Sequence, residues 1–323
     1  MAPRPYEFES TGADVTACYE RFLGRPPESE AAIAGHLRTA PRLWDLIALV
    51  YDSDEARRHR RDVACGEIAA LQDPSAIATD ADPEGLALMT NHIRAVWSRY
   101  GREEAYYSVL TNPAFLRERV GVHDIETFYA TGLAELDGFE RVCRRNGLEP
   151  DPRWSIFELG CGVGRVGEAF ASRYQSYAGA DISADHLAIA RRRFAERGWS
   201  NTRLLLLEPF LAGDLTYDVF FSVIVLQHNP PPIMSAMLEA CLSRINSGGL
   251  AYFQIPCHLY GYQFSVDRYL AGEGQSQDME IHALPQHHVF ALLARNGLDL
   301  VEVTPDDRIG PIGFSYTFLA RKP

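Results

Sequence analysis

Between residues 154 and 183 the sequence reads WSIFELGCGVGRVGEAFASRYQSYAGADIS, and few folds can accommodate such a run. Residues 155–159 form an apolar strand, glycines at 160, 162 and 164 make a turn, a helix begins near Arg165, and a second short strand ends on Asp181. Glycine tolerates positive φ and carries no side chain, so a strand, glycine turn and helix in series let the backbone approach a ligand closely. An acid at the tip of the following strand can accept both hydroxyls of a ribose. The stretch therefore predicts a site for an adenosine-containing cofactor.

Which cofactor depends on the residues in front of the turn. Gly162-Val163-Gly164-Arg165-Val166-Gly167 satisfies the dinucleotide pattern GxGxxG, which keeps an NAD(P)-dependent oxidoreductase open as a rival. Glu158, two residues before Gly160, would face a pyrophosphate laid on that turn and suits a cationic amino group instead. Here the chain resembles the class I S-adenosylmethionine-dependent methyltransferases, whose first motif reads like Glu158-Leu159-Gly160-Cys161-Gly162-Val163-Gly164. The resemblance covers about the last half of the chain. It implies that S-adenosyl-L-methionine binds and S-adenosyl-L-homocysteine leaves. It also implies that Glu158, Gly160, Cys161, Gly162, Val163 and Gly164 face the methionine end, that Asp181 with Ile182 holds the ribose, and that Glu208 lies near the adenine. Leu226 and Gln227 belong to Leu226-Gln227-His228-Asn229-Pro230, which resembles the family segment L-x-H-x-P lying close to the methyl group.

From Asp151-Pro152 onward, strands at 155–159, 177–181, 203–207, 217–225 and 249–255 alternate with helices near 165–174, 184–197 and 233–245. Near-continuous apolar strands in such alternation predict a parallel sheet covered on both faces. Two more strands, 299–303 and 314–320, flank the loop DDRIGPIG. The expected class is α/β, a Rossmann-like seven-stranded methyltransferase sheet, mostly parallel with the last strand antiparallel. An all-helical module (1–63) and a helical linker and lid (64–150) precede the methyltransferase domain (151–323).

The formal net charge of −12 argues against nucleic acid or an acidic membrane surface as a partner. No apolar run approaches the roughly 20 residues of a membrane span, and MAPRPYEFESTGADV lacks the apolar core of a secretory signal, so a cytoplasmic protein is expected. The six cysteines show no CxxC or other metal spacing and read as reduced and structural. Lys322 is the only lysine, so a proton acceptor must be His, Asp, Glu, Tyr or Cys.

In the N-terminal module, Tyr19-Glu20-Arg21-Phe22-Leu23-Gly24-Arg25-Pro26 with the later Ser53-Asp54-Glu55 resembles a short bacterial module, domain-of-unknown-function 4214, that accompanies surface proteins, glycosyltransferases and methyltransferases. The basic run at 57–61 closes it and reads as a solvated helix end. After a linker at 72–79, a helix starts at Asp82-Pro83 and ends at Arg99-Tyr100-Gly101; another is expected at 133–146. In class I methyltransferases such N-terminal helices often cover the cofactor. That places Tyr129 against the cofactor and Tyr106 and Tyr107, together with Tyr262, against the substrate.

An activated sulfonium donor asks little of the protein beyond alignment, exclusion of water and, for a hydroxyl acceptor, removal of a proton. Imidazole is the base best matched to neutral pH. His228, His258 and His282 follow strand ends or flank the cleft and are the candidate catalytic residues, with His258 and His282 in the insertion after the fifth strand. Glu280 could join His258 and His282 at a metal, but their spacing assigns none. The expected reaction is O-methylation of a hydroxyl on a sugar, glycan or related bacterial metabolite. Carbon or nitrogen methylation of a biosynthetic small molecule, and a non-catalytic cofactor-binding subunit, are the alternatives. A small-molecule or glycan substrate is the expected partner, and a homo-oligomer is compatible with the sequence.

Overall fold

The computed structural model describes residues 9–59 and 76–323 and divides into two compact units, residues 1–71 and 72–323. The first eight residues, Cys65, the Arg60-Arg61 end of the basic run and residues 72–75 of the linker lie outside the described residues.

In the first unit, helices Gly12–Leu23, Glu30–Thr39 and Leu43–Tyr51 close around Val15, Cys18, Tyr19, Leu23, Leu46, Val50 and Ala56. A Thr11/Asp14 capping box starts the first helix, and Gly24 ends it at φ +69°. Arg25, in the break that follows, donates to both carboxylate oxygens of Glu55 at 2.7 and 3.0 Å. The two halves of the module's sequence signature thus meet as one bidentate pair.

The second unit is built on a seven-stranded sheet of β1 (Ser155–Leu159), β2 (Ser176–Asp181), β3 (Thr202–Leu206), β4 (Tyr217–Ser222), β5 (Ile245–Leu259), β6 (Asp299–Asp306) and β7 (Gly313–Arg321), in the order β3-β2-β1-β4-β5-β7-β6. β7 runs antiparallel between β5 and β6, and the β1, β2, β3, β4 and β5 pairings are parallel. The expected Rossmann-like sheet with its last strand reversed is what the chain forms. β1 and β4 lie at the reversal of strand order, so the crevice beyond their carboxyl ends is the place for a ligand. Phe157, Phe220, Phe253 and Phe318 fill one face of the sheet, and Ile156, Val219, Phe221 and Leu319 the other.

Several boundaries differ from the sequence reading. β4 stops at Ser222, and Leu226–His228 winds into a 3₁₀ turn. β5 extends to Leu259, because its pairing with β7 continues through His258↔Phe314, so His258 lies in a strand and not in the insertion after it. The helix expected at 133–146 runs Val122–Arg145 and carries the Thr127–Thr131 aromatics within it. Gly132 does not break that helix; a Cβ there would fall 2.0 Å from the carbonyl oxygen of Arg165, so the glycine lets the helix lie against the turn that begins the next one.

Candidate active site

Beyond β1 and β2 lies a cavity of about 800 Å³, its open mouth included. Its floor is the glycine turn, where Gly160, Gly162 and Gly164 take φ of +70°, +52° and +83°. Asp181, at the end of β2, accepts from Gly162 N–H and Ser183 N–H, both at 2.8 Å, which fixes the carboxylate between turn and helix. Helix Pro83–Glu103 contributes Ile93 and Trp97 to the opposite wall, and helix Tyr107–Leu110 contributes Ser108 and Val109.

Glu158 is buried in this wall and accepts a 2.6 Å hydrogen bond from the Tyr177 hydroxyl. Burial pushes its carboxyl up to about 7; the Tyr177 bond and the Arg165 guanidinium pull the other way. A fixed cation in the cavity would ionise this group, and a pyrophosphate would oppose its charge. The tyrosine also accounts for the third glycine of GxGxxG. A Cβ on Gly167 would sit 2.4 Å from the Tyr177 oxygen, so that glycine makes room for the phenol behind Glu158.

Not every residue expected at the cofactor lines this cavity. Glu158, Gly160, Cys161, Gly162, Asp181 and Ile182 line the cavity. Val163 instead packs with Phe115, Phe128 and Tyr129 behind the turn, Gly164 caps the following helix, and Leu226 is in the core. Glu208 is half exposed and ion-paired to Arg94, while its neighbour Leu207 lines the cavity, because the strand ends one residue earlier than expected. Tyr129 is buried with its hydroxyl donating to Val163 O at 2.9 Å and Arg193 4.0 Å over its ring. Tyr106 stands edge-on to Phe128 and Tyr107 begins the short lid helix; neither is among the lining residues. Tyr106 and Tyr129 pack with Phe128 and Val163 behind the glycine turn.

Two ionisable lining residues were given no role in the sequence reading. Arg165 is buried, donates to Thr131 Oγ1 at 3.2 Å, and has no partner for Nε among the described residues. His186, in the first turn of helix Ala184–Glu196, shares a 3.0 Å bond with Ser108 of the lid through Nε2, and its Nδ1 is unpartnered among the described residues. A basic residue inside the glycine motif was the available signal for Arg165. His186 offers none without the lid folded over it.

A second cavity of about 680 Å³, its open mouth included, shares Ser108, Val109 and Ile224 with the first, so the two adjoin across those residues. Leu110, Thr111, Met279, Ile281 and Ile309 give it mostly apolar walls, and Gln227, His228 and Arg308 supply the polar groups. Arg308 donates to both oxygens of Glu135 at 2.9 and 2.8 Å, so its charge is already matched. His228 is buried beneath Trp97, ring centroids 5.2 Å apart. Its Nδ1 lies 2.8 Å from the carbonyl oxygen of Glu280. A carbonyl only accepts, so Nδ1 carries the hydrogen and Nε2 keeps the lone pair. Burial lowers this imidazole to about 4, so it is neutral at physiological pH.

The other two histidines are placed differently. His282 Nε2 lies 2.8 Å from Glu280 Oε2 and its Nδ1 2.7 Å from the Tyr262 hydroxyl, so both ring nitrogens are engaged. Glu280 is held in turn by Tyr269, His92 and the Ser276 N–H; burial pushes its carboxyl up, but the bonds from His282, Ser276 and Tyr269 outweigh it and hold the group down at about 2. Tyr262 and His282 line a separate groove with Tyr260, Arg268 and Tyr269. His258 is half-buried beside Tyr316 and lines neither of the two adjoining cavities. Among the described residues no group of three His, Cys, Asp or Glu could hold a metal ion. The five described cysteines are buried, and no disulfide joins them. No described helix is long and apolar enough to cross a membrane.

Comparison with known proteins agrees with this geometry. Residues 157–251 match the family model described as a methyltransferase domain. The ubiquinone biosynthesis O-methyltransferase of Paraburkholderia xenovorans is 30% identical over 115 residues, covering 35% of this chain and 49% of the relative. That of Colwellia psychrerythraea is 29% identical over 100 residues, 30% of this chain and 40% of the relative. The chain thus spans less than half the length of these curated relatives. The crystal structure of magnesium protoporphyrin IX methyltransferase from Synechocystis with bound S-adenosylhomocysteine superposes with a TM-score of 0.50 at 15% identity, over 72% of this chain and 98% of that one. The fold is that of the S-adenosylmethionine-dependent methyltransferases.

Proposed function

We propose that this chain transfers the methyl group of S-adenosyl-L-methionine to a hydroxyl oxygen of a small molecule, with His228 as the base. The observation that carries this reading is the neutral His228 ring. Its tautomer is set by Glu280, which leaves Nε2 without hydrogen, and the residue lines a cavity adjoining the one lined by Glu158 and the glycine turn. The residues suit the cofactor's zwitterionic tail: Glu158 for the ammonium, the unpartnered Nε of Arg165 for the carboxylate, and Asp181 for the ribose. Once bound, it supplies a sulfonium methyl, so that the O–C bond forms as the C–S bond breaks, the electron pair returning to sulfur. His228 Nε2 takes the hydroxyl proton, and the lid residues Trp97, Ser108 and Val109 exclude water.

The acceptor expected from the helical module's resemblance is a sugar or glycan hydroxyl. A second reading is favoured by the apolar walls at Val109, Leu110, Ile224, Met279, Ile281 and Ile309, which suit a hydroxylated ring with two apolar faces. Relatives named as ubiquinone biosynthesis O-methyltransferases point the same way. Incubation with methyl-labelled cofactor and parallel pools of sugars, extracted glycans and phenols separates the two. Label recovered only on carbon or nitrogen would overturn the hydroxyl assignment, and absence of S-adenosylhomocysteine binding in calorimetry would overturn the methyltransferase itself.

A further inference from the structure

Two described residues other than glycine have positive φ, Thr111 at +49° and Ile224 at +61°, and both line the His228 cavity. A β-branched residue avoids this region, and such strain persists only where the surroundings impose it. For Ile224 the constraint is visible. Its N–H donates at 2.9 Å to Oε1 of Gln254, a fully buried side chain in the middle of β5. The Gln254 Nε2 hydrogens then go to Gln227 Oε1 at 3.0 Å and Ser315 Oγ at 2.5 Å.

The direction of every bond in this chain follows from one group. Ile224 N–H can only donate, so the oxygen of Gln254 must face it and the NH2 must face Gln227. Gln227 therefore turns its oxygen toward Gln254 and its own NH2 toward His228, where Nε2 is 3.4 Å from Nε2. A donor at that position matches a lone pair and opposes a proton. Ile224, meanwhile, is part of the wall shared by the two cavities.

We propose that Gln254 is a positioning residue for the methyl transfer: it pins Ile224 in its left-handed conformation between donor and acceptor and, through Gln227, keeps the His228 lone pair on Nε2. The proposal rests on His228 as the base, and its test does not require the acceptor. Ring-¹⁵N-histidine protein, titrated by NMR with His228→Asn used for assignment, reports which nitrogen of His228 carries hydrogen and where the ring protonates. S-adenosylhomocysteine affinity is measured on the same samples.

In Gln254→Glu the second carboxylate oxygen meets the Gln227 oxygen, which drives the Gln227 amide to turn its oxygen toward His228. Gln227→Glu leaves the Ile224 bond in place and presents an oxygen to His228 directly. Both variants are expected to protonate His228 at a pH higher by roughly one unit or more, with S-adenosylhomocysteine affinity held within about threefold. If Gln254→Glu does not fold, Gln227→Glu decides alone. An unchanged tautomer and titration of His228 in the folded variants would overturn the positioning role. Failure of the unaltered protein to bind S-adenosylhomocysteine would instead overturn the methyltransferase reading on which it stands.

Discussion

The cofactor wall and the acceptor wall of this site are assembled over different lengths of chain. Along the cofactor wall, the Tyr177–Glu158 and Gly162–Asp181 bonds each join residues 19 apart. On the acceptor wall, His228 is oriented by Glu280 from 52 residues away, Gln254 is held by Ser315 from 61, and Arg308 pairs with Glu135 from 173. A wall made from one strand-turn-helix-strand unit is nearly complete wherever that unit folds. A wall made from loop, lid and distant strands exists only when the whole unit has closed, and it is free to differ from one methyltransferase to another.

The sharpest way to break this comparison is to strike one wall and leave the other. Gly162→Arg puts a long side chain at a φ +52° position on the cavity floor, so S-adenosylhomocysteine binding is expected to vanish in calorimetry, whereas Met279→Ala on the acceptor wall should bind within about threefold of the parent. Equal losses in the two would mean that the walls are not separable. Next in size, His228→Asn should lower kcat by on the order of 10²- to 10⁴-fold with cofactor affinity retained. Full turnover by that variant removes the base.

Gly132→Ala tests whether the lid helix depends on its close approach to the glycine turn. The added methyl would meet the Arg165 carbonyl, and urea unfolding should show a loss of about 1–3 kcal/mol. A wild-type midpoint would show that the helix can back away.

The cofactor wall should also carry the pH response. Glu158 is raised from 4.5 to about 7, so the folded, ligand-free protein binds the extra proton and loses stability as pH climbs between those values. A ligand ammonium group prefers the ionised carboxylate. S-adenosylhomocysteine affinity should therefore weaken as pH falls below about 7, by at most about tenfold per pH unit, and Glu158→Gln should flatten the curve. A flat profile in the unaltered protein would uncouple Glu158 from the ligand. The smallest effects are expected from His282→Ala and His258→Ala, less than about tenfold in kcat, since one ring is bonded at both nitrogens and the other lies outside both cavities. A larger loss from either would move the chemistry toward the neighbouring groove.

The two walls were unequally legible. Glu158, the turn glycines and Asp181 could be placed from spacing because a strand, a tight turn and a helix leave their ends one common position. Glu208 and Tyr129 were misplaced for local reasons. A strand ending one residue early swaps the inward face, so Leu207 took the position expected of Glu208. Tyr129 lies on a helix that passes behind the turn, with its hydroxyl spent on the Val163 carbonyl. For the three histidines, spacing could not tell which neighbours engage each ring nitrogen.

Alternating apolar strands and helices, the glycine turn and the acids at 158 and 181 are properties of short segments, and the amino-acid order alone determined them together with the seven-stranded sheet. Which histidine keeps a hydrogen-free nitrogen at a cavity, which tyrosines pack behind the turn, and why Ile224 is held at positive φ were decided only by tertiary structure. The physical reason is that a hydrogen-bond donor or acceptor is available only if no neighbour has taken it, and those neighbours come from strands and loops far along the chain.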